Sequence, residues 1–383
     1  MSKKPLSPVK KRRKKKLIIF IIELLILLVL LAVLFVWLKL GKITHEDINE
    51  DALGISDEVD PELMSGYTNI ALFGLDNRTM GNLDSGNSDT IMILSIDNSN
   101  GEINIISVYR DTMLAQQEDE DGDFHYRKAN AAFSYGGAEE AVRMLNTNLD
   151  LNITDYVTVD FQALVDAIDA VGGIEMEITQ KEAKLINTRI DELEEWTGTS
   201  SSHLNGAGTY TLDGVQATAY CRLRKTALGD FGRAQRQRKV LGTLFKKVKS
   251  GGLVTANAVV DAVVDEISTS LSNSEILGLA ATCIGYSLSD TAGFPYSLTT
   301  GTYGSLGSLD VPCTLESNVK ALYSSLFDED DYSVSSTVKE ISSYIINYTG
   351  CDEDDATTYN IEDDGLSETK NSTDSSTDQE GND

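Results

Sequence analysis

Apolar residues between positions 67 and 108 fall into three short blocks separated by polar stretches. Residues 67–75 (YTNIALFGL), 90–96 (TIMILSI) and 103–108 (INIISV) have the length and side-chain character of strands. The last two are joined by Asp97-Asn98-Ser99-Asn100-Gly101, turn chemistry that predicts a hairpin. Farther on the period lengthens to that of a helix: residues 137–149, then 161–171 closed by Gly172-Gly173, then 231–249. The last of these carries an apolar stripe of Val240, Leu241, Leu244, Phe245 and Val248. Strands are predicted at 156–159 and 174–178, and Asp213 is placed to cap a short helix through Tyr220. From Leu253 to Gly350 the pattern reads as mostly helical. Ser272-Asn273-Ser274-Glu275 and Thr337-Val338-Lys339-Glu340 fit the capping-box pattern there, and Gly350 fits a stop. Strands interleaved with helices predict an α/β (α+β) fold, a layered α-β-α sandwich around a mixed sheet. No internal repeat is visible.

Two ends of the chain depart from this pattern. Residues 17–38 form an apolar run of 22 residues interrupted only by Glu23. As a helix at about 1.5 Å per residue it spans roughly 33 Å, enough for a bilayer core. Nine basic residues and no acid precede it in residues 1–16, so the positive-inside rule predicts a cytoplasmic N-terminus and an outer chain beyond Leu40. The run is too long for the apolar core of a cleaved signal peptide, and no small-x-small cleavage site follows it. At the other end, residues 352–383 hold twelve acids and one lysine among many Ser, Thr and Asn, a composition that predicts disorder. The organisation expected is a basic cytoplasmic tail (1–16), a single transmembrane helix (17–40) and an acidic stalk (41–66). A catalytic domain (67–250), a mostly helical C-terminal part of the ectodomain (251–350) and a disordered acidic tail (351–383) follow.

Charge narrows the function. From Gly41 onward there are 22 basic and 59 acidic residues, a balance of −37 that repels a nucleic-acid backbone. Cys221, Cys283, Cys313 and Cys351 suit an oxidising exterior and allow three full pairings, among which sequence does not choose. No Cys/His spacing points to zinc, and His45, His125 and His203 sit in no triad motif. Residues 301–307 are glycine-rich but lack the lysine of a nucleotide P-loop.

Two clusters carry chemistry. If the first three strands alternate in direction, the end of the first, the start of the second and the end of the third share one sheet edge. Asp76 and Arg78, then Asp89, then Arg110 and Asp111 stand at those points. Each alone is what any turn carries; together they predict a site. The second cluster holds ten of the outer chain's 22 basic residues within positions 222–249, beginning with Arg222 and Arg224. Arg233 and Arg236 fall in the first turns of a helix, where the macrodipole disfavours cations. A large anion bound among them and the free N–H groups accounts for that placement, whereas a basic face paired with surface acids is the plainer account.

The ordered set NSDTIMILSID, VYRDT, RKANAAFSYGG, DYVTVDFQALVDAIDAVGG, LDGVQATAYCRLRK and GDFGRAQRQRKVL resembles the LytR–CpsA–Psr family. The likeness covers roughly residues 67–241, and the single membrane segment with its basic inner flank agrees with it. Tyr109 stands where many members have Pro, and Cys221 and Leu223 replace commoner Val and Tyr; no charged site residue is lost. The resemblance implies a phosphotransferase that takes a glycopolymer, of the teichoic acid or capsule kind, from a polyprenyl-pyrophosphate carrier to a peptidoglycan hydroxyl. It implies that Asp76 and Asp89 hold Mg²⁺, or Mn²⁺ in its place. It assigns Arg78, Arg110, Arg222 and Arg224 to the pyrophosphate, with Arg233, Arg236 and Gln237 contributing from the helix. Asp111 would orient Arg110, and Lys128 and Asn130 would line the site. Partners expected are the lipid-linked glycopolymer, peptidoglycan and membrane lipid, with no nucleic acid. The chemistry agrees, since phosphoryl transfer needs positioning and charge neutralisation more than a covalent nucleophile. A polyprenyl-pyrophosphate-glycan hydrolase and a non-catalytic lipid-binding or regulatory membrane protein are the rival readings. Intact Asp76, Asp89, Arg110, Arg222 and Arg224 weigh against the second rival.

Overall fold

The three apolar blocks form the middle of a seven-stranded sheet. The computed structural model describes residues 41–76, 83, 85–118, 123–224, 228–282 and 285–357. The predicted transmembrane run, Arg78, Cys283 and the tail beyond Thr357 therefore lie outside the described residues. In chain order the strands are β1 (Thr44–His45), β2 (Tyr67–Leu75), β3 (Ser88–Asp97), β4 (Glu102–Val108), β5 (Met113–Glu118), β6 (Phe124–Lys128) and β7 (Asp155–Val159). They continue as β8 (Ile174–Ile178), β9 (Gly208–Leu212), β10 (Ile267–Thr269), β11 (Ser287–Phe294), β12 (Leu298–Tyr303) and β13 (Gly307–Pro312). The helices are α1 (Pro61–Ser65), α2 (Ala131–Leu149), α3 (Phe161–Ala170), α4 (Gln180–Thr197), α5 (Gly214–Cys221), α6 (Gly229–Val263), α7 (Asn273–Thr282), α8 (Leu315–Phe327) and α9 (Ser336–Thr349).

The sheet runs β1-β10-β7-β2-β3-β4-β11 and is mixed. β2, β3 and β4 form an antiparallel meander, while β7 pairs parallel with β2 and β11 parallel with β4. Period-two alternation decides the layers. Ile91, Ile93, Ile106 and Val108 face a core shared with α2, α8 and α9, including Leu145, Val319 and Ile341. Met92, Ile103 and Ile105 face the other way, onto Leu241 and Phe245 of α6. A third core joins α3, α4 and α5 to the β8–β9 hairpin and to Val240 and Leu244 of α6. The turn Asp97–Gly101 forms as predicted, with Gly101 at φ 74° and its N–H bonded to the Asp97 carbonyl.

Several expectations are corrected. The segment 41–66, expected as a stalk, packs onto the domain: β1 pairs with β10, and Leu53, Val59 and Met64 are buried in the main core. Its acids mask four well-spaced apolar residues, of which Ile43 is the other. The boundary at 250 falls inside α6, which continues to Val263 past a break at Gly252, where φ is +65°. The part beyond it is not mostly helical, because β10 and β11 complete the central sheet and β12 and β13 form a hairpin. Buried Asp150, just after α2, accepts a hydrogen bond from the Ser335 N–H at 2.7 Å and from the Tyr332 hydroxyl at 3.1 Å, locking the start of α9 to the end of α2. α9 is capped by Ser335 and not by Thr337, whereas the Ser272–Glu275 box forms as expected. α2 begins at Ala131, six residues before the predicted start, and kinks at Gly136 and Gly137.

Candidate active site

The register of the meander brings the predicted charges to one edge. Gly74 lies opposite Thr90, a bulge follows, and Leu75 lies opposite Ser88. A Cβ on Gly74 would stand 2.8 Å from the Thr90 Cβ, so only glycine lets the two strands run together to the end. Asp76 therefore leaves β2 beside the start of β3, where Asp89 stands. Antiparallel pairing of β3 with β4 brings Arg110 and Asp111 to the same edge. The backbone of Asn130 ties this edge together: its N–H bonds the Arg110 carbonyl and its carbonyl accepts from Ser88 N–H.

Asp89 is the hub. Its carboxylate meets Arg110 at 2.6 Å, Arg224 at 2.5 Å and Arg233 at 3.4 Å, and Arg233 also donates to its backbone carbonyl at 3.1 Å. Burial alone would raise its pKa, but the Arg233, Arg110 and Arg224 guanidiniums outweigh it and hold the carboxyl below the usual range. Arg110 also reaches Asp230 at 3.1 Å and Asp111 at 3.7 Å, and Lys128 reaches Asp111 at 3.1 Å. Arg233, on the second turn of α6, is 4 % exposed and leans on Asp230 at 3.5 Å as well.

Arg222 is held differently. Its guanidinium lies 4.4 Å from the Phe161 ring and 4.6 Å from the Trp196 ring, and 3.6 Å from Asp76. Nη1 is buried without a hydrogen-bond partner. Burial pulls its pKa down, against the opposing pull of Asp76 and Glu192. Arg236 departs from the predicted role. It is buried and donates to the Leu223 carbonyl at 3.3 Å, so it braces the loop that carries Arg222 and Arg224. Of the other predicted residues, Gln237 lines the cavity described next, Lys128 and Asn130 lie at the Arg110–Asp111 edge, and Arg78 is outside the described residues.

Below these charges lies a cavity of about 340 Å³. Its depth is apolar, with Leu72, Met92, Leu164, Val240, Leu244 and Val263 among the walls, and its mouth carries Asp76, Asp89, Arg222, Arg224, Arg233 and Gln237. The arrangement suits an amphiphile with an apolar tail and an anionic head. Asp76 and Asp89 both stand at that mouth as potential ligands of a small hard cation. No trio of His, Cys, Asp or Glu that could hold a metal occurs among the described residues. Two carboxylates still fit Mg²⁺, which commonly takes one or two and completes its shell with phosphate oxygens and water.

Three features escaped the sequence reading. Asp230 stood in a quoted motif, and an acid in a helix's first turn is its own signal. Trp196 comes from α4, an element not predicted. Asp310, on β13, is buried behind Asp111, and burial, then Asp111 and Asp230, push its carboxyl up to about 7. No local signal marks it.

A sequence profile of the LytR_cpsA_psr family matches residues 36–290. TagV of Bacillus subtilis (strain 168), named a polyisoprenyl-teichoic acid–peptidoglycan teichoic acid transferase, is 30% identical over 203 residues, 52% of this chain and 49% of its own length. TagU of Enterococcus faecalis, which bears the same description, is 30% identical over 213 residues, 55% of this chain and 64% of its own. The chain thus spans about half the length of the first relative and under two thirds of the second. Among solved structures, gbs0355 from Streptococcus agalactiae has a TM-score of 0.61 at 26% identity, covering 75% of this chain and 95% of that one. The crystal structure of B. subtilis TagV has a TM-score of 0.52 at 24% identity, covering 70% and 98%, a likeness of fold.

Proposed function

The chain belongs to the LytR–CpsA–Psr family, and from that premise we propose that it transfers a glycopolymer with its phosphate from a polyprenyl-pyrophosphate carrier to a peptidoglycan hydroxyl. The observation that carries this reading is the apolar cavity with an arginine-lined mouth, which accepts an isoprenoid tail below and a pyrophosphate above. The naming of TagV and TagU as transferases of this kind supports it. The work takes place at the outer membrane face, with the apolar run 17–38 as the single span and residues 1–16 inside, a reading supported by the charge pattern.

In the transfer, the acceptor hydroxyl oxygen bonds to the phosphorus bearing the glycopolymer. The bond from that phosphorus to the bridging oxygen breaks, and polyprenyl phosphate leaves with the electron pair while the hydroxyl gives up its proton. Arg222 and Arg224 sit at the mouth from one loop, Arg110 from the sheet edge and Arg233 from α6, so the four converge from three directions on charge spread over the phosphoryl oxygens. Asp89 and Asp230 hold three of these forks in place before substrate arrives. Asp76 and Asp89 would hold the divalent cation, which neutralises charge on the diphosphate when bound.

The test incubates the full chain in detergent with radiolabelled lipid-linked donor and peptidoglycan fragments. Label attached to the fragments is expected. Label released as free glycopolymer phosphate, with none on the fragments, replaces transfer by hydrolysis, and no loss of donor at all rejects the enzyme.

A further inference from the structure

The corner where the chain leaves its apolar N-terminal run is fixed in the fold. Ile43 stands three residues beyond Leu40 and is buried in a small cluster with Val260, Val264, Ile267 and Ile276. Lys42 pairs with Asp265 at 2.9 Å, and the His45 ring bonds the Asn273 side chain, at the start of α7, at 2.9 Å. Three residues of extended chain reach about 10 Å, so a span ending at Leu40 keeps this corner at the bilayer surface.

Two apolar features adjoin the corner. α7 buries none of its residues. Its one charge, Glu275, is held in the capping box with Ser272, and residues 276–289 carry no charge at all. Ile276 faces the cluster around Ile43, whereas Leu277 is exposed. The second feature is the break in α6. A straight helix would separate residues 240 and 263 by about 35 Å. Instead, Val259 and Val263 pack in one cluster with Val240 and Leu244 and line the same apolar cavity, so the second half doubles back at Gly252. The turn carries Leu253 and Val254, 60 % and 82 % exposed. From Lys239 to Val260 the chain holds four lysines and no acid, in an outer portion where acids outnumber bases 59 to 22.

We propose that α7 and the Leu253–Val254 tip of α6 form a second membrane contact, seated in the lipid headgroup region beside the anchor, with the exposed Lys246 among anionic headgroups. The proposal rests on the reading of residues 17–38 as a membrane span. An uncharged exposed helix and an aliphatic tip backed by lysines match acyl chains below and negative charge above. The short tether holds this face near the bilayer, so that even a weak contact is populated. The contact also has a consequence for substrate. Val259 and Val263 wall the apolar cavity, while Val260 and Val264 of the same helix pack on Ile43. The depth of the cavity and the exit of the anchor are therefore two faces of one helix, and a lipid chain has a short way from bilayer to cavity.

Photocrosslinking of the full chain in lipid nanodiscs tests this. The discs contain phosphatidylcholine and phosphatidylglycerol with a tritiated phosphatidylglycerol tracer. The photoreactive residue p-benzoylphenylalanine replaces Val254, Leu277 or, as a control on α9 across the sheet, the exposed Tyr344. Illumination should label the chain at positions 254 and 277 several-fold more than at 344. Leu253→Asp combined with Val254→Asp alters only exposed positions, so it should melt as wild type does and cut labelling at 277 several-fold. No lipid adduct at 254 and 277, or equal labelling at 344, overturns the contact. Labelling at 277 that is unchanged in the double variant overturns the seated tip. Adducts between two protein chains in place of lipid adducts make this face a contact between copies and also overturn it. A chain that fails to enter the discs removes the membrane span, and the proposal with it, but leaves the transferase reading standing.

Discussion

Replacing Arg222 by alanine separates a guanidinium that binds substrate from one that merely packs. In the folded protein it lies against the Phe161 and Trp196 rings, its side chain is 14% exposed, and its nearest acid, Asp76, is 3.6 Å away. Loss of the two ring contacts costs about 0.5–2 kcal/mol each, partly offset by no longer burying a cation with one unpartnered nitrogen. The net stability change should therefore be about 1–2 kcal/mol, a shift of a few degrees in melting temperature. The effect on a bound diphosphate should be larger. One charge-assisted hydrogen bond is worth about 1.5–3 kcal/mol, which is roughly ten- to 150-fold in affinity. Arg222→Lys keeps the charge but loses the planar fork and its stacking, so it should recover less than half of that free energy. Titration of a polyprenyl pyrophosphate into wild type and both variants, beside thermal melts, reads the two effects separately. If Arg222→Ala binds as wild type does while its melting point falls, the residue is a packing element and the proposed clamp is wrong.

Other consequences follow from the same geometry. Excess chelator should stop turnover and added Mg²⁺ restore it, and Asp76→Ala and Asp89→Ala should each be inactive while still melting cooperatively; turnover undiminished in chelator refutes the metal role. Leu164→Trp or Val240→Phe, which fill the apolar depth of the first cavity, should weaken a long-chain polyprenyl pyrophosphate at least tenfold and leave inorganic pyrophosphate binding unchanged, as measured by competition. Asp310 titrates at about 7 in the fold against an ordinary 3.8, so its contribution to stability is complete below about pH 4 and is lost as pH rises through 7. Asp310→Asn should therefore stabilise the protein by about 2–4 kcal/mol at pH 8 and by nearly nothing at pH 4, read from melts across that range. Protease added to intact protoplasts should digest the chain beyond about residue 41; full protection refutes the outward orientation.

How far the sequence reached depended on where each signal lay. β2, β3 and β4 were legible because each is a dense apolar block buried in a sheet, and the convergence of Asp76, Asp89 and Arg110 followed from chain direction alone. The β5–β6 hairpin was not read, because MLAQQE and FHYRK offer little alternation. α4 could have been found, since Ala183, Ile186, Ile190 and Leu193 recur at helical spacing behind a Thr179–Glu182 capping box. Missing it hid Trp196 and so the cradle of Arg222. Strands β10 and β11 are short or polar, and they join the sheet only because the exposed edges of β7 and β4 offer free backbone partners. Asp310 reaches the site from nearly 200 residues away, through the pairing of its N–H with the Asp111 carbonyl at 2.9 Å, which no local pattern encodes.

The basic helix shows both what spacing can decide and what it cannot. At 100° per residue, Arg233 and Gln237 share one face of α6, and Gln235 and Arg238 share another. The first pair lines the apolar cavity, and the second pair lines a separate pocket against the end of β11 and the start of β12. Arg236 lies between those faces and turns to the Leu223 carbonyl. Cations near a helix N-terminus oppose the macrodipole, and here each is dealt with separately: Arg233 by Asp89 and Asp230, Arg236 by a carbonyl of the loop it braces. Composition alone shows a run of positive charge. The three-residue and four-residue intervals within it allot those charges to different faces, and only the packed neighbours reveal that Arg233 meets two carboxylates, Asp89 and Asp230, while Arg236 meets a backbone carbonyl.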